Sequence, residues 1–530
     1  MTGETKDIRF QYSGFVIFAI QIFSVVTGLI FTLLLTRNMT ADQYGVWTNI
    51  FDYIAYFTLF SGVFPFWATR FVARKMPGAI KTSTIAQLIS SLIFMAAYFP
   101  IIYLIYTLAI APAIKTQVPP VDWLPIFLIA GLYIVTFYMI TVFEAILQPK
   151  RPQTLGYGLL IEEIVKVSVA LILILGFHQL FLGAILALVL SCFVQVGYYV
   201  WLLRDDFKGE ANWSYLKEWF KGSTVLAFNA VGSQLLSFVY ILLFFYGGSD
   251  TRAYYQAAGS FTAIIGYSIS LSIALYPRLL SKSCSKEQVG TSFRTVMMLG
   301  IPLAAITIVM SYSFLTVLKV AYGVAWPVLV ALSIYTLFGL VTSFYSNCVM
   351  GVEGFDAEGK ISLRRLLKSK IFIVFALPYL QAAIAVPITY FVLTTLPVAG
   401  SVQATLYVVL ILIAAQLTTF AVLYSFMRHS IGIPVAWVSI GKYVLASALT
   451  ALILFLLPTT TTLLSTIAKA VVGFGIYVAF LLAIDKQARE LIRQVLDEFR
   501  GNVRALRQLA SRREKGQVLS GENGEEATEN

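Results

Sequence analysis

Apolar runs of about 20 residues, parted by short polar stretches, recur along the chain from its first residues to residue 482. Fourteen of them fall near 14–36, 46–69, 84–108, 124–147, 156–177, 183–203, 223–246, 257–276, 295–318, 327–349, 371–395, 403–426, 438–457 and 463–482. Apolarity unbroken over that length predicts membrane-spanning helices; barrel strands alternate over only about 10 residues. The fold class expected is therefore an all-α polytopic membrane protein. Beyond Asp485 the pattern changes. Ala488, Leu491, Ile492, Val495, Phe499, Val503 and Leu506 share one helical face, and Arg489, Arg493, Arg500, Arg504 and Arg507 share another. That predicts an amphipathic helix over 483–515 lying on an anionic leaflet. The acidic, polar end, 516–530, is expected to be disordered.

Composition agrees and narrows the function. Hydrophobic residues make up 59% and charged residues 12% of the chain, with a mean hydropathy of +0.82. Soluble chains carry about 25% charge. A soluble enzyme is excluded, and little chain is left for a catalytic domain. The net charge is +12. With the N-terminus in the cytoplasm, 31 of the 38 Lys and Arg fall in cytoplasmic segments. Only Arg37, Lys115, Arg252 and Lys319 fall in outside loops, while Lys166, Lys442 and Lys469 lie in or at the edge of spans. This asymmetry predicts an N-in, C-in topology and accounts for the basic charge without nucleic acid. Cys192, Cys284 and Cys348 form no motif, and His178 and His429 are too few for a metal cluster. No cofactor or metal is expected.

The two halves of the chain resemble one another. A short turn with a tyrosine, Tyr44 or Tyr254, opens the second and eighth runs, and Arg70 or Arg278 closes them. The offsets are 210 and 208 residues, which predicts parallel six-helix repeats. The expected organisation is a six-helix lobe at 1–203, a cytoplasmic linker at 204–222, a second six-helix lobe at 223–426 and an added helix pair at 427–482. Pro65 and Pro277, just before the basic exits, are expected to bend their helices.

Catalytic motifs are not found. Gly354–Lys360 has the spacing of a phosphate loop, but Ile361 stands where Ser or Thr would bind magnesium. No GxSxG or HExxH occurs. The charges within spans are the more informative feature, because each costs about 2.5–3.5 kcal/mol at a helix centre. Glu162 and Lys166 are spaced for a same-face pair, and Glu163, about 100° away, has no partner on its own helix. Asp52 lies in the outer part of the second run. Glu162, Glu163 and Asp52 are the candidates for coupling to a cation.

The segment Thr36–Trp47, the exit Ala68–Ala73, and the stretch from Tyr254–Ala258 through Tyr276–Ser281 resemble polysaccharide and oligosaccharide flippases. These belong to the multidrug/oligosaccharidyl-lipid/polysaccharide exporter superfamily. Tyr322–Gly351 is similar to the same family's ninth-to-tenth helix region, so the likeness covers about the first 350 residues. The resemblance implies a non-enzymatic transporter in the cell membrane. It would carry a polyprenyl-diphosphate-linked oligosaccharide to the outer leaflet by alternating access, amid membrane lipids and glycan-assembly proteins. Arg70 and Arg278, then Arg37 and Lys166, are the candidate diphosphate ligands. The family's pattern departs in one respect: no arginine lies within the body of the first helix. A cation-coupled multidrug antiporter of the same superfamily is the alternative, and a membrane glycosyltransferase or polymerase is the enzyme-class rival.

Overall fold

The apolar runs fold as helices in the computed structural model, which describes residues 23–24, 26–114, 121–272, 286–352, 370–396, 400–430, 437–486 and 488–490. In chain order the first half comprises α1 (Val26–Asn38), α2 (Ala41–Phe57), α3 (Val63–Ala73), α4 (Ala79–Ile114), α5 (Leu124–Lys150), α6 (Gln153–Ala170) and α7 (Leu180–Leu203). The second comprises α8 (Ser214–Leu242), α9 (Ser249–Gly266), α10 (Lys286–Val309), α11 (Ser311–Leu318), α12 (Trp326–Val352), α13 (Lys370–Thr395) and α14 (Ser401–Ser430). Finally, α15 (Trp437–Leu456) and α16 (Leu463–Ile484) pack against α10, where the Tyr477 hydroxyl donates to the Met298 carbonyl at 2.8 Å. Each expected run meets helix, and the described residues contain no strand.

Among the described residues, ten helices are long and apolar enough to cross a bilayer. The other four runs differ for identifiable reasons. Only the end of the first is described. The second is broken between Phe57 and Val63, the fifth carries Glu162, Glu163 and Lys166, and the eighth begins with Asp250 and Arg252.

Packing is inverted relative to a water-soluble bundle. Along α4, Thr82, Ser83, Gln87 and Ser91 are fully buried, whereas Leu88, Ile89, Leu92 and Ile93 are exposed. Small and polar side chains bring helices together inside the protein, and leucine and isoleucine face hydrocarbon. The break in the second run depends on this arrangement. Where α2 ends, the Phe57 carbonyl accepts from the Tyr138 hydroxyl at 3.0 Å. Gln87 Nε2 donates to the Ser61 carbonyl at 2.8 Å and to the Tyr138 carbonyl at 3.0 Å. In hydrocarbon, broken backbone persists only where the protein supplies such partners. The bend precedes Pro65 by several residues. In the eighth run α9 likewise gives way to a 3-10 turn, Tyr267–Ser272, while Pro277 lies outside the described residues. The starts of α2 and α9 are 208 residues apart and their ends 209, close to the offsets in the sequence.

Two boundaries differ from expectation. Residues 214–222 of the expected linker are helical and continue into the seventh run. Tyr215 and Trp219, one turn apart, meet Phe71 edge to face and so dock that turn on the N-terminal half. The second and eighth helices begin at residues 41 and 249, well before 46 and 257. Arg252 is therefore not in an outside loop but inside α9. The helix expected at 483–515 and the tail at 516–530 lie almost wholly outside the described residues.

The hydrophobic core divides unevenly. At the end that the charge asymmetry assigns to the outside, here the outer end, one continuous cluster joins the halves. It includes Leu35, Tyr44, Trp47 and Ile50 with Leu243, Ala253, Leu318 and Tyr322. Toward the opposite end there are two clusters. One is built on Phe64, Phe71, Phe143 and Trp219, the other on Phe293, Phe344, Leu377 and Tyr477. The halves share one cluster at the outer end; at the other end each has its own, with only the start of α8, through Tyr215 and Trp219, packed into the N-terminal one.

Candidate functional site

The fused end is held by a set of polar contacts between α2 and α9 and their flanking turns. Thr40 caps α2 in a reciprocal capping box with Gln43, which fixes where the helix starts. Gly45, one turn in, lies so close to α9 that a Cβ there would overlap the Ser249 carbonyl oxygen. Ser249 Oγ donates to Asp42 at 2.7 Å. Arg37 donates to the Val317 carbonyl at 3.1 Å, and Lys319 donates back to the Met39 carbonyl at 2.9 Å. Tyr322 meets both Tyr44 and Tyr254 edge to face.

Deeper in the seam sits a buried ion pair. Arg252 Nε and Nη2 each donate to one oxygen of Asp52, both at 2.8 Å. The two side chains are 6% and 8% exposed. The remaining guanidinium nitrogen donates to Gln256 at 3.1 Å, and the rings of Tyr240 and Tyr255 flank the cation. Both carboxylate oxygens are engaged, so Asp52 is occupied by a protein cation in this conformation. A bidentate pair of this kind is attractive only while the low-dielectric surround stays closed on both partners. Parting the two halves here would separate opposite charges.

The charges of the fifth run form a second cluster, within the N-terminal half. Lys166 Nζ lies 3.3 Å from Glu162 and 2.9 Å from Glu163, so Glu163, three residues away, does have a partner on its own helix. Ser24 and Thr27 of the first run donate to the two Glu163 oxygens at 2.8 and 2.7 Å. Lys166 is thereby held between two carboxylates, as an ammonium tethered inside an anionic site.

Among the described residues, two cavities stand out in the halves of the helices away from the outer end. In the N-terminal half, a cavity of about 400 Å³ is lined by Pro65, Phe66, Thr69, Thr141, Glu144 and Gln148, among others. The Glu144 carboxylate accepts from Tyr199 at 3.3 Å. Arg70 is adjacent: its guanidinium stacks on Phe66 at 3.5 Å and donates to the Phe66 carbonyl. The other cavity, about 500 Å³, lies in the C-terminal half among α8, α9, α12, α13 and α14. Among the described residues, none that lines it is charged.

The structure thus brings Asp52 to the seam, groups Glu162, Glu163 and Lys166, and sets Arg70 beside a cavity. Arg37 is engaged at the outer end, remote from Arg70, and Arg278 lies outside the described residues. Arg252 and Glu144 are additions that sequence reasoning did not single out. The mark of Arg252 in the sequence is an arginine in the turn that repeats the Asp42–Tyr44 turn of the first half. Among the described residues no cluster of His, Cys, Asp and Glu has the makings of a metal site.

No family profile matches the chain, and no curated protein matches it. Solved structures do. A lipid II flippase, MurJ, in an inward closed conformation superposes with a TM-score of 0.67 at 14% identity, covering 90% of this chain and 100% of that one. An inward-facing multidrug resistance MATE transporter of the MOP superfamily gives 0.56 at 13% identity, covering 78% and 99%. A MATE protein in the bent conformation gives 0.51 at 14% identity, covering 84% and 98%. The chain is a polytopic helical membrane protein with the fold shared by this lipid II flippase and the MATE transporters.

Proposed function

We propose that the protein is a flippase that carries a polyprenyl-diphosphate-linked oligosaccharide from the cytoplasmic to the outer leaflet of the cell membrane. The observation that carries this reading is the uneven core: among the described residues, one cluster at the outer end, and two clusters with two cavities that carry polar groups in their walls at the other. That is the form of a carrier closed outside and ready to load from inside. Alternating access then requires the α2–α9 seam to open while the opposite ends close. The work is binding and motion, with no covalent step. Arg70, and Arg278 by its equivalent position, would hold the diphosphate at the loading side, where guanidinium groups match phosphate oxygens. Glu162 and Glu163, around their tethered lysine, would sense a coupling cation. The flippase reading is favoured over the antiporter because the lipid II flippase superposes on 90% of this chain with a TM-score of 0.67, against 78% and 0.56 for the MATE transporter.

The test is reconstitution of the full chain in vesicles with a fluorescent polyprenyl-diphosphate-linked glycan on the inner-facing leaflet. Appearance of the label outside, dependent on the protein, supports the reading. Drug-driven proton or sodium exchange without glycan movement would replace it with the antiporter.

A further inference from the structure

Glu144 is held differently from the other acids of the spans. Asp52 faces Arg252, and Glu162 and Glu163 face Lys166. Glu144, in the last turns of α5, has no ion-pair partner among the described residues. What it does have is a fixed position. Gln195 Nε2 donates to the Tyr199 oxygen at 3.2 Å, which leaves the phenol proton to turn toward an acceptor. Glu144 Oε1 is the nearer acceptor at 3.3 Å, against 3.5 Å for the Leu155 carbonyl. Gly158 makes room for that hydroxyl, since a Cβ there would overlap it. The second carboxylate oxygen accepts from no described group, and the residue lines the cavity of about 400 Å³ in the N-terminal half. A carboxylate in a span is costly unless a partner of opposite charge meets it. Here the protein orients the group and supplies no such partner.

We infer that this cavity receives an ammonium group carried by the transported molecule. An ammonium presents three donors. Glu144 offers a charged acceptor, and charge-assisted hydrogen bonds are the strong ones. Thr141 and Gln148, three residues before it and four after, share its helix face and line the same cavity with neutral acceptors. Pro65, Phe66 and Leu155 give apolar surface for the carbon frame that bears the amine. The space suits an organic group better than a bare metal ion: a metal needs several oxygens close around it, and about 400 Å³ lies within the roughly 300–1,000 Å³ of small-molecule sites. Arg70 is folded against the Phe66 ring and the Phe66 carbonyl, so the neighbourhood pairs a cation for the diphosphate with an anion for the amine. The substrate class is then a lipid-linked glycan with a free amino group. This deepens the flippase reading and rests on it for its role in transport, though not for binding.

The experiment is saturation-transfer NMR on the full chain in phosphatidylcholine nanodiscs, at mildly acidic pH where sugar amines are charged. The probes are chitotriose, with free amines, and triacetylchitotriose, the same rings with each amine neutralised. Chitotriose is expected to bind about fivefold more tightly or better, the scale of one charge-assisted contact. Glu144→Gln keeps the volume and the contact with Tyr199 but removes the charge, and should bring the two probes within about twofold of each other. Gln148→Glu, at an exposed position on the same face, should widen the preference by about twofold or more. Glu218→Gln, an exposed acid at the start of α8, should leave it unchanged. The inference is overturned by equal binding of the two probes to wild type, by no binding of chitotriose, or by a folded Glu144→Gln that keeps the preference. If Glu144→Gln does not fold, an unchanged preference in Gln148→Glu overturns it instead. Failure of the wild type to move lipid-linked glycan in vesicles, with the amine preference intact, would remove the flippase reading and leave the subsite.

Discussion

Replacing Asp52 by Asn keeps the shape of the seam and removes the charge that balances Arg252. The guanidinium would then be buried against Gln256 and two tyrosine rings with no anion in contact. Removing one partner of a buried ion pair costs about 3–5 kcal/mol, because the other charge stays desolvated. If the pair exists only when the outer end is closed, the whole of that cost falls on the closed conformation. At about 1.4 kcal/mol per tenfold, the closed-to-open ratio should fall by roughly two to three and a half powers of ten. The readout is labelling of a single cysteine at Tyr44, a buried residue at the seam, with a membrane-impermeant maleimide. The background replaces Cys192, Cys284 and Cys348 by alanine. Asp52→Asn should accelerate labelling at least tenfold, Arg252→Leu should do so too, and Asp52→Leu with Arg252→Leu should return most of the way to the parent. Labelling within twofold of the parent for a well-folded Asp52→Asn would refute the assignment of the pair to the closed state.

Gly45→Ala should open the same end by a different route, since its Cβ meets the Ser249 backbone; the same labelling assay should show faster modification with the ion pair unmutated. Gln87→Leu removes the donor to two carbonyls at the break in the second run and should destabilise the protein by about 1–3 kcal/mol, read as a lower unfolding temperature in detergent. Lys166→Met leaves Glu162 and Glu163 without their shared cation; the yield of monodisperse protein should drop, and adding Glu163→Gln should restore much of it. Arg70→Gln should lower glycan transport several-fold in vesicles while Arg74→Gln, one turn on at the exposed C-terminal cap of α3, stays near wild type.

Helix content and positions were legible in the sequence because apolar length is a direct consequence of crossing hydrocarbon. The exceptions lie where polar residues are buried between helices. Asp42, Gln43, Asp250 and Arg252 read as loop by composition, yet they belong to α2 and α9 because the opposite half covers them. Only Pro65 marks the break at 58–62 in the sequence; its position is set by Gln87 and Tyr138, which arrive from other helices. The Glu162–Lys166 pair follows from helical spacing alone. The approach of Lys166 to Glu163 as well is an i,i+3 contact, equally open to helical spacing, which the i,i+4 pairing alone leaves out. Glu144 is a lone acid near the end of an apolar run, which by sequence reads as interfacial; only the cavity gives it a context. Asp52 was legible as an unusual charge, but its partner 200 residues away was not, since pairing across the seam is a property of the assembled halves.

Arg37 and Lys319 grip the opposite half by its main chain, through the carbonyls of Val317 and Met39. A peptide carbonyl is present whatever residue occupies the position, so the receiving side of these two contacts has no functional group to lose by substitution. Drift at positions 39 and 317 is limited only by the buried space, and compensating changes across the seam are not needed. Inheritance of this catch thus rests on two cations, one per half, each of which can be kept or lost independently. Homologues should therefore vary in pairs at 52 and 252 but singly at 37 and 319.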